Sequence, residues 1–592
     1  MAAHSLSGSQ DVGITVVLLD LTIGWQRTRH SSSCSATITG LARWRAHRSW
    51  NVTLRNTEYL LSELLLTAAE KYPDRPALIF PDSQLTYSEL SSLSQRYARA
   101  MIGGGLSRGD HVGILAVNRP EYIVLLFACM FSGTVAVLLN ARFRVQELKH
   151  AATHCDLKWV FVGQNEGVPH AARLLEALPE IANADASGVA SVPAAPMLER
   201  VVTLDAFDQA GFTAFTDFLA DETLATPAQF DRRQEEIIAS EPALIMFTSG
   251  TTSLPKGCML TQESVFRTSL AMRNRLSLST DERMWDPLPM FHMASILPML
   301  SLFHDGGACL TDEKVDIDRA VTQINEERAT FLYPAFPAIM AELVNHPGMK
   351  LDQLDHVRLI NNIGSAEALR ENMRAWPSAT HISAFGMTEL SGIASHTDPS
   401  DTEAQRAETC GKPYEGIEVA IVHPESGHVC TANEQGEIRV RGFLLFDGYY
   451  KQPEETARVI DDQGWFHTGD LGSLDPEGRI RFHGRIKDVL KVGGENVSPL
   501  EVEAWLSTHP DVIVAQVVGA PDDRLDEVVA AFIQLNPGAS VNAQDIVDYC
   551  EGQIASFKVP RVVRFVNEWP MSATKIQKSA LREQLLAETK IG

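Results

Sequence analysis

No CxxC pair occurs among the eight cysteines of this 592-residue chain, which stand at positions 34, 129, 155, 258, 309, 410, 430 and 550. That scatter excludes a disulfide-stapled secreted domain and the usual zinc framework, and it implies a reducing, cytoplasmic setting with buried or idle thiols. Positive charge is scarce as well: 51 Lys and Arg against 75 Asp and Glu leave a net charge of −24. A broad phosphate-backbone surface for nucleic acid is excluded by that balance. One nucleotide, held locally by loop N–H groups and a few cations, is not. Uncharged runs of membrane-spanning length are rare. Residues 122–141, "YIVLLFACMFSGTVAVLLNA", carry no charge over twenty positions, but the Ser132–Gly133 break predicts a buried helix, a turn and a core strand, so no transmembrane segment is expected. The early run "VGITVVLLDLTIGW" lacks a basic lead and is interrupted by Asp20, so it reads as a poor signal peptide.

Residues 21–57 have no acid, no lysine and six arginines, whereas Asp11 and Asp20 precede them. A transit peptide would already be basic there, so residues 1–56 are read as a disordered extension outside the fold. From residue 57 the text alternates helical and strand patterns: "TYSELSSLSQRYARAMI", "HVGILAV", "PEYIVLLFACMF", "TVAVLL", "VQELKHAATH", "WVFV". Such alternation predicts an α/β fold of helix-covered, mainly parallel sheets. Residues 181–240, rich in Ala and Asp, read as a surface excursion. Residues 436–484 turn β-rich, and after Gly484 comes a compact α+β pattern of about a hundred residues. The expected domains are therefore 57–484 and a small C-terminal one, 485–592.

The stretch "MFTSGTTSLPKGCML" follows the apolar "PALI" and packs hydroxyls, glycines and one lysine into a strand exit. It is not a Walker A loop, because Lys256 precedes Gly257 and Cys258. Its donors suit a polyphosphate all the same, with Lys256 as counter-charge. Six further stretches follow in order: "PMFHMAS" (289–295), "NNIGSAE" (361–367), "AFGMTEL" (384–390), "GWFHTGDLG" (464–472), "GRIKDVLKVGGENVSPLEVE" (484–503) and "PMSATKIQK" (570–578).

Together the seven closely resemble the adenylate-forming superfamily, in its acyl-CoA synthetase and fatty-acid–CoA ligase branch, from about residue 57 to 590. The resemblance implies an ATP-dependent enzyme that joins a carboxylate to the α-phosphate of ATP, expels pyrophosphate, and passes the acyl group to CoA. An anion meeting a polyanion needs charge neutralisation more than proton transfer. By the matched motifs, Thr248, Ser249, Gly250, Thr251, Thr252 and Lys256 would hold the β- and γ-phosphates. Glu389, with Thr252, would bind Mg2+, and Thr388 would contact the α-phosphate. Gly364, Ser365 and Ala366 would lie along the adenine, with Phe385 stacked on it. Asp470 would take the ribose hydroxyls as an acceptor-only group, with Arg485 as second ribose contact. His292 would sit beside the acyl carboxylate. Lys575, rather than Lys578, would neutralise the carboxylate and α-phosphate during adenylation. Lys487 occupies the hinge position, and Lys491, Gly493 and Gly494 belong to the segment that would line the CoA path once a mobile small domain rotates.

Three departures from the motifs stand out. Ser253 replaces a phosphate-loop glycine, Phe385 replaces a tyrosine, and "SATKIQK" lacks the glycine before the lysine. No anion near His292 could pair with an amino-acid ammonium, so a plain carboxylic acid is expected, a medium-chain fatty acid first, with aryl, steroid or alicyclic acids as alternatives. Only fourteen residues follow Lys578, which implies a free acceptor, CoA or a separate carrier protein. A weakened nucleotide-binding relative is the remaining alternative. Oligomeric state, monomer or homodimer, is not legible.

Overall fold

In the computed structural model the described residues are 58–589, apart from 165–168, 185–190, 207–208, 249–253, 494, 523 and 573–574. The expected extension therefore lies outside the described residues, as do Ser249, Gly250, Thr251, Thr252, Ser253 and Gly494; of Lys575 only the backbone is described.

Two seven-stranded sheets form the large body. The first runs, in spatial order, Thr380–Ile382, Leu359–Asn362, Phe331–Ala335, Arg283–Trp285, Ala308–Leu310, Pro76–Phe80 and Ser83–Thr86. All its neighbours are parallel except the last pair. The second runs Gly448–Tyr449, Lys256–Thr261, Pro242–Thr248, Val135–Leu138, His111–Leu115, Leu157–Val162 and Arg200–Thr203. It is parallel from Pro242–Thr248 onward and antiparallel at its other end. Parallel strands buried on both faces read as near-continuous apolar runs, which is how "PALIM" and "TVAVLL" appear in the sequence.

The uncharged run 122–141 resolves as the wording of its break predicts. A helix, Pro120–Ser132, is buried from Tyr122 to Ser132. It starts with proline at its first position and ends on Gly133 at φ 67°, the left-handed cap that glycine adopts without a Cβ penalty. The strand Val135–Leu138 then enters the second sheet. The helix Tyr87–Gly103 opens with a capping box in which the Thr86 side chain accepts from Glu89 N–H and Glu89 from Thr86 N–H.

One sequence expectation needs correcting. Residues 181–240 are not only a surface excursion, because Arg200–Thr203 is the edge strand of the second sheet and Phe218 is fully buried. Its strand character comes from pairing with Leu157–Val162, a partner some forty residues away, not from its own periodicity.

Beyond these sheets lies a four-stranded antiparallel one, Ile417–Val422, Gly436–Gly442, Phe466–Leu474 and Ile480–Arg485. The chain then forms the small α+β unit. Val512–Asp522 pairs with Asp526–Leu535 as a long hairpin, flanked by Leu490–Val492 and Val562–Phe565. This unit has its own core around Val497, Val517, Ala531 and Ile533.

Candidate active site

The strand Pro242–Thr248 and its partner Lys256–Thr261 bring Thr248 and Lys256 opposite each other, so the loop between them leaves and returns at one place. Lys256 Nζ pairs with Glu455 Oε2 at 2.7 Å and lies 5.0 Å from the centre of the Tyr449 ring. The Tyr449 hydroxyl donates to Glu389 Oε1 at 2.9 Å. Burial beside the Glu389 carboxylate pushes the Tyr449 phenol well above its ordinary range, so it remains a donor. Cys258, facing Thr248 and Glu389, is likewise driven up by burial and stays a neutral thiol.

Glu389 belongs to the short turn Thr388–Leu390, and its carbonyl accepts from Phe446 N–H. The turn is tight: a Cβ on Gly386 would stand 2.0 Å from the Gly392 carbonyl oxygen. Glu389 is 8% exposed. Among the described residues its second carboxylate oxygen has no partner, which suits a hard cation that takes oxygen ligands.

Gly364 lies on an exposed turn after the strand Leu359–Asn362, and Ser365 caps the helix Ala366–Ala375 by accepting from Ala368 N–H at 3.3 Å. Phe385 is buried, with Phe482 at 6.2 Å between ring centres. Asp470 and Arg485 are register partners on adjacent strands, and Arg485 Nε meets Asp470 Oδ1 at 2.8 Å. Lys487 lies two residues on, in the short turn Ile486–Asp488. Burial lowers its ammonium from the ordinary lysine value, against the opposing pull of Asp488 and Asp470. Thus Thr248, Lys256, Gly364 and Glu389 stand at strand ends and turns of the large body, whereas Asp470 lies within a strand of the four-stranded antiparallel sheet, paired with Arg485 at the end of the next.

His292 stands directly before the helix Met293–Phe303, at the end of a segment braced from below. Asp286, fully buried, accepts from Ser295 Oγ at 2.7 Å and from Leu288 N–H at 2.9 Å. Burial pushes its carboxyl up to about 7. Asn118 donates to the Leu288 carbonyl at 2.9 Å and accepts from Met290 N–H at 2.8 Å. The two residues fix the backbone from 286 to 290, and therefore the point from which His292 projects.

On the small unit, Gly493 turns the hairpin Leu490–Val492/Glu495–Val497 at φ 60°. Lys491 is exposed and its N–H donates to Glu527. Lys575 lies on the two-residue strand Lys575–Ile576, paired with Met571–Ser572. Lys578 is tied down within the same unit: its ammonium pairs with the buried Glu503, which also accepts from Val517 N–H.

Sequence reading missed Tyr449, Glu455, Asp286, Asn118 and Phe482. "GYY" at 448–450 and the aspartate three residues before "PMF" were the only signals, and neither names its partner.

Two family descriptions match the chain: "AMP-binding enzyme" over residues 65–450 and "AMP-binding enzyme C-terminal domain" over 501–575. YngI of Bacillus subtilis (strain 168), which carries an acyl-CoA synthetase designation, is 32% identical over 89% of this chain and 97% of its own length. The mitochondrial medium-chain acyl-CoA ligase ACSF2 of Macaca fascicularis is 30% identical over 88% of this chain and 86% of its own. Among solved structures, the anthranilate CoA ligase AuaEII in complex with anthranoyl-AMP superposes with a TM-score of 0.78 at 25% identity, covering 90% of this chain and 98% of that one.

Proposed function

Given that the chain belongs to the AMP-binding enzyme family and is an AMP-forming acid–CoA ligase using ATP, Mg2+ and CoA, we propose that its acid is a medium-chain fatty acid. The support is twofold. Relatives named medium-chain acyl-CoA ligases align over most of their length, and the helix after His292 is apolar apart from Ser295 and Ser301, with Met293, Ile296, Leu297, Met299 and Leu300 all buried. An acid bearing a hydrogen-bonding substituent, such as an aryl acid, is the second reading. It is favoured by Asn361, fully buried, whose amide atoms have no partner among the described residues.

In this reading Thr248, Lys256 and the loop 249–253 hold the β- and γ-phosphates, Asp470 and Arg485 hold the ribose, and Phe385 packs on the adenine. Mg2+, when bound, supplies charge neutralisation between phosphate oxygens and would be held by Glu389 with Thr252. His292 orients the incoming carboxylate, fixed in place by the Asp286 and Asn118 brace. Lys575 offsets the charge that builds as carboxylate oxygen attacks the α-phosphate. The C-terminal unit, residues 485–592, then turns about Lys487 to present Gly493 and its neighbours to CoA. A cytoplasmic setting fits seven described cysteines, all free thiols.

The observation that carries the medium-chain reading is the buried, largely apolar helix that follows His292, while the Lys256–Tyr449–Glu389 cluster supports the nucleotide and metal roles. The test is pyrophosphate release over short, medium, long, aryl and steroid acids, followed by thioester formation with free CoA. Highest kcat/KM on a C8–C12 acid is expected. A preference for aryl acids would overturn the medium-chain assignment, and thioester formation only with a carrier protein would overturn CoA as acceptor.

A further inference from the structure

Away from the nucleotide residues, the connection between the strands Ile417–Val422 and Gly436–Gly442 gathers His428, Cys430 and Glu434. One ligand-capable atom of each lies within 4.8 Å of the others. We propose that these three side chains form a binding site for one zinc-class divalent cation. The sequence pattern is H-x-C-x3-E, with no CxxC, which is why the scattered cysteines excluded zinc when read alone.

The backbone beneath the three ligands is already fixed. His423 N–H donates to the His428 carbonyl and Gly427 N–H to the His423 carbonyl, both at 2.9 Å. Cys430 N–H donates to the Ile421 carbonyl at 2.8 Å, and Asn433 N–H to the Leu474 carbonyl at 2.7 Å. The side chains are oriented too. His428 Nδ1 lies 2.7 Å from Ser426 Oγ and its Nε2 lies 2.8 Å from Glu434 Oε1. At 2.8 Å from a carboxylate oxygen Nε2 carries the proton and donates to Glu434, so metal binding takes the other tautomer, with Nδ1–H donated to Ser426 Oγ and the Nε2 lone pair on the ion, an outer-shell arrangement the serine is placed to support. Glu434 is held from behind, since its Oε2 accepts from Thr431 N–H at 2.9 Å and from Thr431 Oγ1 at 3.3 Å. Cys430 Sγ has only a weak contact of 3.6 Å to the Gln435 carbonyl.

Imidazole, thiolate and carboxylate form a donor set that suits zinc and disfavours magnesium or calcium. Zinc bonds of about 2.0–2.3 Å put tetrahedral ligand atoms roughly 3.3–3.6 Å apart, so closure needs about 1 Å of side-chain rotation. Binding replaces the His428–Glu434 hydrogen bond and releases the Cys430 thiol proton to solvent. The fourth position belongs to water, because His423, stacked on His428 at 5.3 Å, already uses Nδ1 to accept from Glu425 and Ser426 N–H. The ion would brace the two turns of this connection against each other.

Zinc is spectroscopically silent, so cobalt(II) is the probe, added to the full-length protein under a non-thiol reductant. A thiolate-to-cobalt charge-transfer band saturating at one equivalent and displaced by stoichiometric zinc is expected. C430S should abolish the band, and H428A and E434Q should weaken zinc binding at least tenfold. All three should leave acid-dependent ATP–pyrophosphate exchange unchanged. H428A keeps every thiol and E434Q every nitrogen ligand, so a folding defect in one variant does not decide the outcome. No band, a band that persists in C430S, or equal zinc affinity in all variants would overturn the site.

Discussion

The nucleotide cleft of the large body and the lysine-bearing end of the small unit handle charge in opposite ways. In the cleft each described functional charge is already engaged: Lys256 with Glu455, Glu389 with Tyr449, Arg485 with Asp470. A cleft built this way is preorganised, and ATP must exchange partners to enter it. On the small unit, Lys575 stands on a two-residue strand, while its neighbour Lys578 is committed to Glu503 within the unit's own body. Among the described residues, Ser498 Oγ of the unit donates to the His483 carbonyl of the large body at 2.7 Å. In the proposed function one region binds by waiting in place, and the other acts by being brought.

The largest effect should break that comparison at the brought residue. Lys575→Ala is expected to lower acid-dependent ATP–pyrophosphate exchange by about 10²- to 10³-fold, the range for removing one preorganised transition-state partner. Nucleotide affinity should stay within a factor of two or so, because the cleft supplies it. Lys578→Ala should instead soften the small unit, seen in its thermal transition, with a much smaller kinetic loss. If Lys578→Ala lost the exchange rate and Lys575→Ala kept it, the two lysines would have to trade roles.

Next in size is Tyr449→Phe, which removes the hydroxyl from Glu389 without changing packing. An outer-shell donor of this kind is worth about 10- to 100-fold in metal affinity or activity. The loss should shrink as Mg2+ is raised, since Glu389 is still present. A loss independent of Mg2+ would mean that Tyr449 serves packing, not the carboxylate.

What the sequence made legible, and what it hid, follows the same division. The residues proposed to act on ligand, His292, Glu389, Asp470 and Lys575, sit in contiguous motifs that can be read along the chain. Residues that hold them are distant in sequence. Tyr449 reaches Glu389 across sixty positions and Asn118 reaches Met290 across 172, and no local pattern announces either contact. The helices and strands between 86 and 162 were legible because each carries its own period and stop signal, such as Gly133. The edge strand Arg200–Thr203 was not, because its identity comes from the neighbour it pairs with.

Asp286 tests the cleft's preorganisation through stability instead of rate. Its folded carboxyl titrates at about 7, above the unfolded value near 4. Between those values the unfolded chain binds fewer protons than the folded one, so stability falls as pH rises through this window. Asp286→Asn keeps an acceptor for Leu288 N–H and removes the titration. The variant should therefore gain on the wild type by up to about 1.4 kcal/mol per pH unit between roughly pH 4 and 7, and by a constant amount above. Parallel melting curves for the two proteins would show the side chain to be ionised throughout.

The smallest expected effect is the sharpest probe of a cleft whose charges wait in pairs. Glu455 holds Lys256 at 2.7 Å, with both side chains a quarter to a third exposed, and Arg458 also pairs with Glu455. Solvent-screened pairs of this kind contribute little, so freeing Lys256 can tighten ATP only by a small factor, about fivefold at most. Glu455→Gln removes the competing charge while keeping the side-chain volume. ATP KM should fall two- to fivefold with kcat nearly unchanged, and the difference should fade in high salt as the pair is screened. An unchanged KM would mean that phosphate already outcompetes Glu455 at no measurable cost. A raised KM would mean that Glu455 aims Lys256 at the phosphates, making the pair a positioning device that the nucleotide exploits, not a partner it must displace.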